Sequence, residues 1–375
     1  MTTTVPKRPR ALQVPNLPGP LCSLAVLGAA ETARNLTSDD WERELPVIAA
    51  AGLEGALLSA ARAQEVRIPA AALAELQQRQ FDRAASVILM QYRTAPALHK
   101  LQKSNMEFLV FKGPAFIPST GDRSTRFYSD IDLLVRPRDF RAARALLRGG
   151  GYEEDLRNRQ PRNYFDRWCR EAVNLRSSDG GSIDLHHHIP PWRTARRCTF
   201  DWLAEGSERG MVADVEVRFP MAEKLFAITL LHLLSDKNQP GVSLKIRRDI
   251  AILAQRVNTE LAVKCLDDVG LTETAGWIAE SVDEPAVLHT KERLKQDLPR
   301  RRQDFRPPFH VRLIAASPVR RRKLIGQVAR LPALNALAYV VGFLFPSRRF
   351  LDEKFTPGYQ RSRWWSGGIR ATWNG

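Results

Sequence analysis

Two short apolar runs, each carrying acid, constrain this chain more than anything else in it. Ile131 to Val135 and the segment around Ile183-Asp184-Leu185 read as buried strands, yet Asp130 and Asp132 stand on the first and Asp184 on the second. Side chains alternate along an extended strand, so Asp130 and Asp132 project to one side while Ile131 and Leu133 face a core. Carboxylates gathered on one edge, with apolar residues behind them, repel each other unless a cation sits between. Mg²⁺ suits that arrangement, because it takes one or two carboxylates and fills its shell with water and phosphate oxygens.

The flanking sequence supplies the rest of a sheet. Phe108 to Phe111 forms an apolar run that opens into Lys112-Gly113-Pro114, a strand end and glycine turn where backbone N–H groups and a lysine can approach phosphate. After the second run, Asp139 stands where it can cap a helix reaching Leu147, and the glycines at 149–151 stop that helix. Glu171 to Arg176 and Ser182 to Ile189 flank Ser177-Ser178-Asp179-Gly180-Gly181, a hairpin signal.

Helical periodicity lies on both sides of this region. Trp41 to Arg62 and the stretch from Ala70 to about Lys103 carry apolar residues three or four apart, as do Met221 to Leu234 and Leu244 to Arg256. The expected fold class is α+β, a small mixed-sheet core between helical parts. The expected division is an arm and lead-in over 1–40, a helical subdomain over 41–105, the core over 106–220, a second helical subdomain over 221–290 and a basic tail region with an apolar helix over 291–375.

Charge sets the tail apart. The chain has 57 Lys and Arg against 41 Asp and Glu, a net of +16, and residues 291–375 hold 19 of the basic and 5 of the acidic residues, 19 − 5 = +14. With 44% apolar residues and 26% charged, the whole is nonetheless a globular composition and not a disordered polybasic one. Basic blocks at Arg300 to Arg302 and Arg320 to Lys323, with Trp364 and Trp365 nearby, suit RNA through phosphates and stacking. The uncharged run Leu331 to Ser347 is broken by Pro332 and Pro346 and falls short of the ~20 apolar residues of a spanning helix. It suits peripheral membrane contact through residues 320–347 equally well. Four cysteines without metal or redox spacing, and no signal-like apolar stretch behind Lys7, Arg8 and Arg10, fit a cytoplasmic protein.

Three further groups bear on the acids. His186 shares a strand face with Asp184 and reads as a substrate contact or a neighbour of the ligands, since His186 to His188 lack the partners that zinc requires. Lys245 and Arg248, three apart on a helix, offer a face either to a nucleotide or acceptor or to solvent and Asp249. Phe127 and Tyr128 suit base stacking or core packing.

Taken together, FLVFKGPAF, STRFYSDIDLLV, GGGYE and SIDLHHHI resemble the nucleotidyltransferases of the polymerase-β-like superfamily, most closely its uncharacterised nucleotidyltransferase group, from about Trp41 to Ser281. The resemblance implies an enzyme that moves a nucleoside monophosphate from ATP or another NTP to an acceptor and releases pyrophosphate. It implies Asp130, Asp132 and Asp184 as catalytic acids and ligands of two Mg²⁺ ions, and Lys112, Gly113, Arg126 and Ser129 as the nucleotide site. Acceptors in the superfamily include RNA ends, peptides or proteins and small molecules. Pro114 departs from the pattern, because it has no N–H to offer phosphate. The rival reading is a non-catalytic protein of this fold that binds RNA or an anionic membrane through its tail.

Overall fold

A computed structural model describes residues 17–28, 36–120, 126–154, 164–236, 240–281, 308–316, 323–354 and 360–365. Helices α1 (Pro20–Leu27), α2 (Ser38–Ala51), α3 (Glu54–Ala63) and α4 (Ala70–Lys103) come first. Thr37 and Asp40 form a reciprocal capping box that starts α2. Gly52, in the left-handed region at φ 68°, ends it. The periodic stretch from Trp41 to Arg62 is therefore two helices, because a left-handed glycine reverses the chain in its middle.

The sheet follows. Strands β1 (Leu109–Val110), β2 (Ile131–Leu134), β3 (Tyr152–Glu154), β4 (Ala172–Ser177) and β5 (Ser182–His186) lie in the order β1-β2-β5-β4-β3. β2 and β5 run parallel and the other neighbours antiparallel, so the sheet is mixed. Parallel neighbours need a crossover. Here it contains α6 (Phe140–Arg148), β3, a short α7 (Phe165–Trp168) and β4, while α5 (Ile117–Thr120) lies between β1 and β2. Asp139 precedes α6 without making a side-chain cap bond.

Beyond the sheet come α8 (Phe200–Ala204), the hairpin β6 (Glu208–Val212) and β7 (Val215–Phe219), and helices α9 (Ala222–Asp236), α10 (Pro240–Arg256), α11 (Thr259–Asp268) and α12 (Thr272–Ser281). The main core packs Ile131 and Leu133 of β2 and Leu185 of β5 against Leu98 of α4, Phe140 of α6 and Phe226 of α9. A second cluster joins Leu21 and Leu24 of α1 to Ile48, Leu57 and Leu76, and takes in Leu244 of α10. The fold is thus α+β, a small mixed sheet between helical layers.

The tail region is built onto this core. Helices α13 (Phe309–Ala316), α14 (Lys323–Arg330), α15 (Ala333–Leu344), α16 (Arg348–Lys354) and α17 (Arg361–Arg363) make it up. The Arg193 amide donates to the Arg330 carbonyl at 2.7 Å, Asn335 donates to the Trp168 carbonyl at 2.7 Å, and Leu331 and Ala336 pack with Phe165 and Cys169. Trp364 is wholly buried against Phe343 and Phe350, and its Nε1 donates to the Phe343 carbonyl. It is core and not a platform for RNA bases; Trp365 alone of the pair is exposed. The blocks Arg300 to Arg302 and Arg320 to Arg322, with residues 1–16 and 29–35 of the arm and lead-in expected over 1–40, lie outside the described residues.

Candidate active site

The parallel register of β2 and β5 sets Asp132 directly beside Asp184 and Leu133 beside Leu185. His186, two residues along β5, falls on the same face as Asp184. Its Nε2 lies 3.2 Å from Asp132 Oδ1 and 3.0 Å from Asp184 Oδ2. The Phe111 amide donates to the Asp132 carbonyl, which brings the next residue, Lys112, to the same place. Lys112 Nζ donates to Asp132 Oδ1 at 3.1 Å.

Ligand atoms of Asp132, Asp184 and His186 all lie within 4.8 Å of one another. Asp130 stands just before β2 and outside that triplet, although it lines the same cavity. Strand geometry gives the reason. Neighbouring strands are about 4.8 Å apart, whereas residues i and i+2 on one strand are roughly 6.6 Å apart, so the acid across the sheet is closer than the acid along the strand. The cavity, of about 280 Å³, also takes in Lys112, Gly113, Arg126, His232, Lys245 and Asp249.

Electrostatics separates the acids. Burial alone would raise the Asp132 carboxyl, but Lys112 and His186 outweigh it and hold it below the usual carboxylate range. Asp184 is likewise lowered, against its burial, by His186. Asp130 goes the other way: burial, then the charges of Asp132 and Asp184, outweigh Lys112 and Lys245 and push it up to about 6. His186 is raised to about 9 because Asp184 and Asp132 overcome its burial, so it is an imidazolium at neutral pH. Burial and the neighbouring Arg126 push Lys245 down to about 7.

Gly113 opens the turn after β1 at φ 52°, and a Cβ there would meet the Tyr128 ring at 3.1 Å. Pro114 occupies the first turn of a 3₁₀ helix, Gly113–Phe116, where a missing N–H leaves no internal bond unmade. Tyr128 is buried over this turn, and its hydroxyl accepts from Gln91 Nε2, so the core-packing reading applies to it.

Two of the predicted contacts are committed elsewhere. Arg126 is buried, with Nε and Nη2 donating to Asp249 at 2.7 and 2.9 Å and Nη1 to the Phe127 carbonyl. Its planar fork is engaged by protein, so it positions the loop before Asp130. Arg248 donates to the Ala25 carbonyl of α1 at 2.7 Å, leaving Lys245 as the member of that pair that lines the cavity. Ser129 is exposed in an adjoining cleft with Phe127 and Lys245. His187 stacks on Phe140 and His188 on Trp192, so His186 alone of the three histidines joins the acids. Asp249 as the partner of Arg126 was missed in the sequence, and no local signal marks a pair 123 residues apart.

Asp132 and Asp184 side by side form a pair of hard oxygen ligands that fits Mg²⁺, and His186, protonated and bonded to both, would join them as a nitrogen ligand only on losing its proton. His186 Nδ1 is buried and has no partner. Residues 37–271 match the family described as uncharacterised nucleotidyltransferase. The match spans more than half of the chain, and the chain belongs to that family. Among solved structures it is similar to a crystal structure of an antigenic nucleotidyltransferase-like protein from Paracoccidioides brasiliensis, at 15% identity and a TM-score of 0.32, over 54% of this chain and 97% of that one. No curated protein matches the chain.

Removing one partner of the buried Arg126–Asp249 pair leaves the other charge uncompensated. Arg126→Gln and Asp249→Asn should each destabilise the fold by about 3–5 kcal/mol in urea unfolding, and the double variant by less than the sum. Additive losses would contradict the pairing.

Proposed function

We propose that the chain is an Mg²⁺-dependent nucleotidyltransferase that moves a nucleoside monophosphate from an NTP to an acceptor and releases pyrophosphate. The observation that carries this reading is the side-by-side placement of Asp132 and Asp184, with Lys112 against them and Asp130 in the same cavity. Membership of the nucleotidyltransferase family supports it.

In this reading Asp130, Asp132 and Asp184 hold two Mg²⁺ ions, with His186 beside them. Bound there, the metal supplies neutralisation of charge on the triphosphate and on the attacking and departing oxygens. The chain's own residues do the rest. The Gly113 turn lets backbone approach the phosphates, and Lys112 and Lys245, which both line the cavity, offset phosphate charge. Arg126 keeps the loop carrying Ser129 and Asp130 against α10. The acceptor classes are an RNA end, a peptide or protein, and a small molecule. A cytoplasmic setting is supported by the four unpaired, buried thiols.

The test is incubation with each α-³²P-labelled NTP, Mg²⁺ and, in turn, RNA, protein and small-molecule cell fractions. Label should enter one fraction, and Asp132→Asn or Asp184→Asn should lower the rate about 100-fold or more. Undiminished labelling by both variants would contradict the site.

A surface of α15 favours a membrane-peripheral setting for this activity. Leu334 and Leu337 are 76% and 62% exposed, Val341, Leu344 and Phe345 continue the same apolar face, and the exposed Arg348 and Arg349 follow it. Among the described residues no helix is long and apolar enough to cross a membrane. The face suits the surface of an anionic bilayer, with apolar side chains among the acyl chains and arginines at the headgroups. The wild type should co-sediment with phosphatidylglycerol vesicles and not with phosphatidylcholine ones, and Leu337→Asp should abolish this. Wild-type protein that pellets with neither would contradict it.

A further inference from the structure

A second cavity, of about 460 Å³, reaches one of these acids, Asp184. It shares Lys112, Asp184, Pro190 and His232 with the first. Asp130, Asp132 and Lys245 line only the first, whereas His186, Arg170, Asn174 and Arg330 line only the second. Part of its wall comes from the tail: Gln327 and Arg330 belong to α14 and Tyr339 to α15. Arg330 is fixed there by its donation to the Ser235 carbonyl at 3.0 Å and by the Arg193 amide on its own carbonyl. A helix more than 130 residues beyond β5 thus completes a space that begins at Asp184 of the sheet.

This space has the marks of a binding site. Its volume falls in the usual range for small-molecule pockets. Two polar atoms on its lining residues, His186 Nδ1 and Ser235 Oγ, are buried without a partner, and His186 as a whole is 2% exposed. Its lining carries Lys112, Arg170 and Arg330 together with Glu171 and Asp184; Lys112 is bonded to Asp132, and Asp184 to His186. Arginine forks recognise phosphate and carboxylate, while Asn174, Gln327 and Ser235 offer neutral polar groups of the kind that meet hydroxyls.

In-line displacement requires the attacking and departing oxygens to lie on opposite sides of phosphorus. Two cavities that share Asp184 and differ in most of the rest of their lining give the two reactants separate places beside one acid. We infer that the second cavity is the acceptor site, and that the acceptor is a small hydroxyl compound bearing a phosphate or carboxylate group. This inference rests on the transferase reading above. The acceptor oxygen forms a bond to the α-phosphorus as the bond from that phosphorus to the pyrophosphate oxygen breaks. Pyrophosphate leaves with the electron pair on the first-cavity side, and the hydroxyl proton passes to Asp184 and on to water. The tail region then belongs to the active site as the wall that holds the acceptor.

The experiment measures two bindings on full-length protein with Mg²⁺. The first is of each labelled NTP. The second is of inorganic phosphate and glycerol 3-phosphate, with glycerol as control, by calorimetry in the presence of a saturating α,β-methylene analogue of the NTP that binds. Wild type should bind phosphate and glycerol 3-phosphate but not glycerol. Arg170→Gln and Arg330→Gln should each weaken that binding about tenfold or more and leave NTP binding within about twofold. Lys245→Gln should weaken NTP binding and spare phosphate. Arg170 stands just before β4 and outside the tail, so its variant tests the cavity from a second part of the chain. Phosphate binding unchanged in both arginine variants, or absent from a wild type that binds NTP, would overturn the acceptor site alone. A wild type that binds no NTP would overturn the transferase reading and the acceptor role with it.

Discussion

Two carboxylates held side by side across a parallel strand pair repel each other by on the order of 3–4 kcal/mol at the effective dielectric of a protein site. The pairing of β2 with β5 imposes that repulsion on Asp132 and Asp184, because Leu133 and Leu185 in the same register are wholly buried and hold the strands in place. A slip by one residue would turn the acids into the core and the leucines out of it. Much of the surrounding structure offsets the repulsion. Lys112 reaches Asp132 from the end of β1, and His186, positively charged between the two acids, donates to both.

The helical layers extend this arrangement outward. α10 contributes Lys245 to the cavity and Asp249 to the ion pair that secures Arg126, and it is itself held to α1 through Arg248 and Leu244. The N-terminal helices therefore act on the site through α10. The tail acts more directly, since α14 and α15 seat on α7 and on the segment after β5 and close a second cavity on Asp184. One sheet register thus links a charge problem, a candidate cation site and the two cavities that share Asp184.

How much of this was legible in the sequence depended on how local the cause is. The strands around Ile131 and Ile183, the hairpin at Ser177 to Gly181 and the α4 periodicity are set by neighbours a few residues away, and they were readable. So was the presence of Asp130, Asp132 and Asp184 in one region. Which acids would be adjacent was not, because it follows from a register between strands some fifty residues apart. Arg126 with Asp249, Arg248 with Ala25 and the burial of Trp364 are likewise products of tertiary packing. The basic tail gave the opposite difficulty. Its composition suggested binding to RNA or a membrane surface; what it did not show is that α14 and α15 pack into the body of the protein and supply Arg330 and Tyr339 to the second cavity.

The most direct test of the central claim, that Asp132 and Asp184 form a divalent-cation site by virtue of the β2–β5 register, is an electron paramagnetic resonance titration with Mn²⁺ as the Mg²⁺ probe. Wild-type protein should remove Mn²⁺ from solution at one or two ions per chain, more tightly with NTP present, and Asp132→Asn and Asp184→Asn should each weaken that binding by about tenfold or more while remaining folded. Equal Mn²⁺ binding by wild type and both variants would contradict the account.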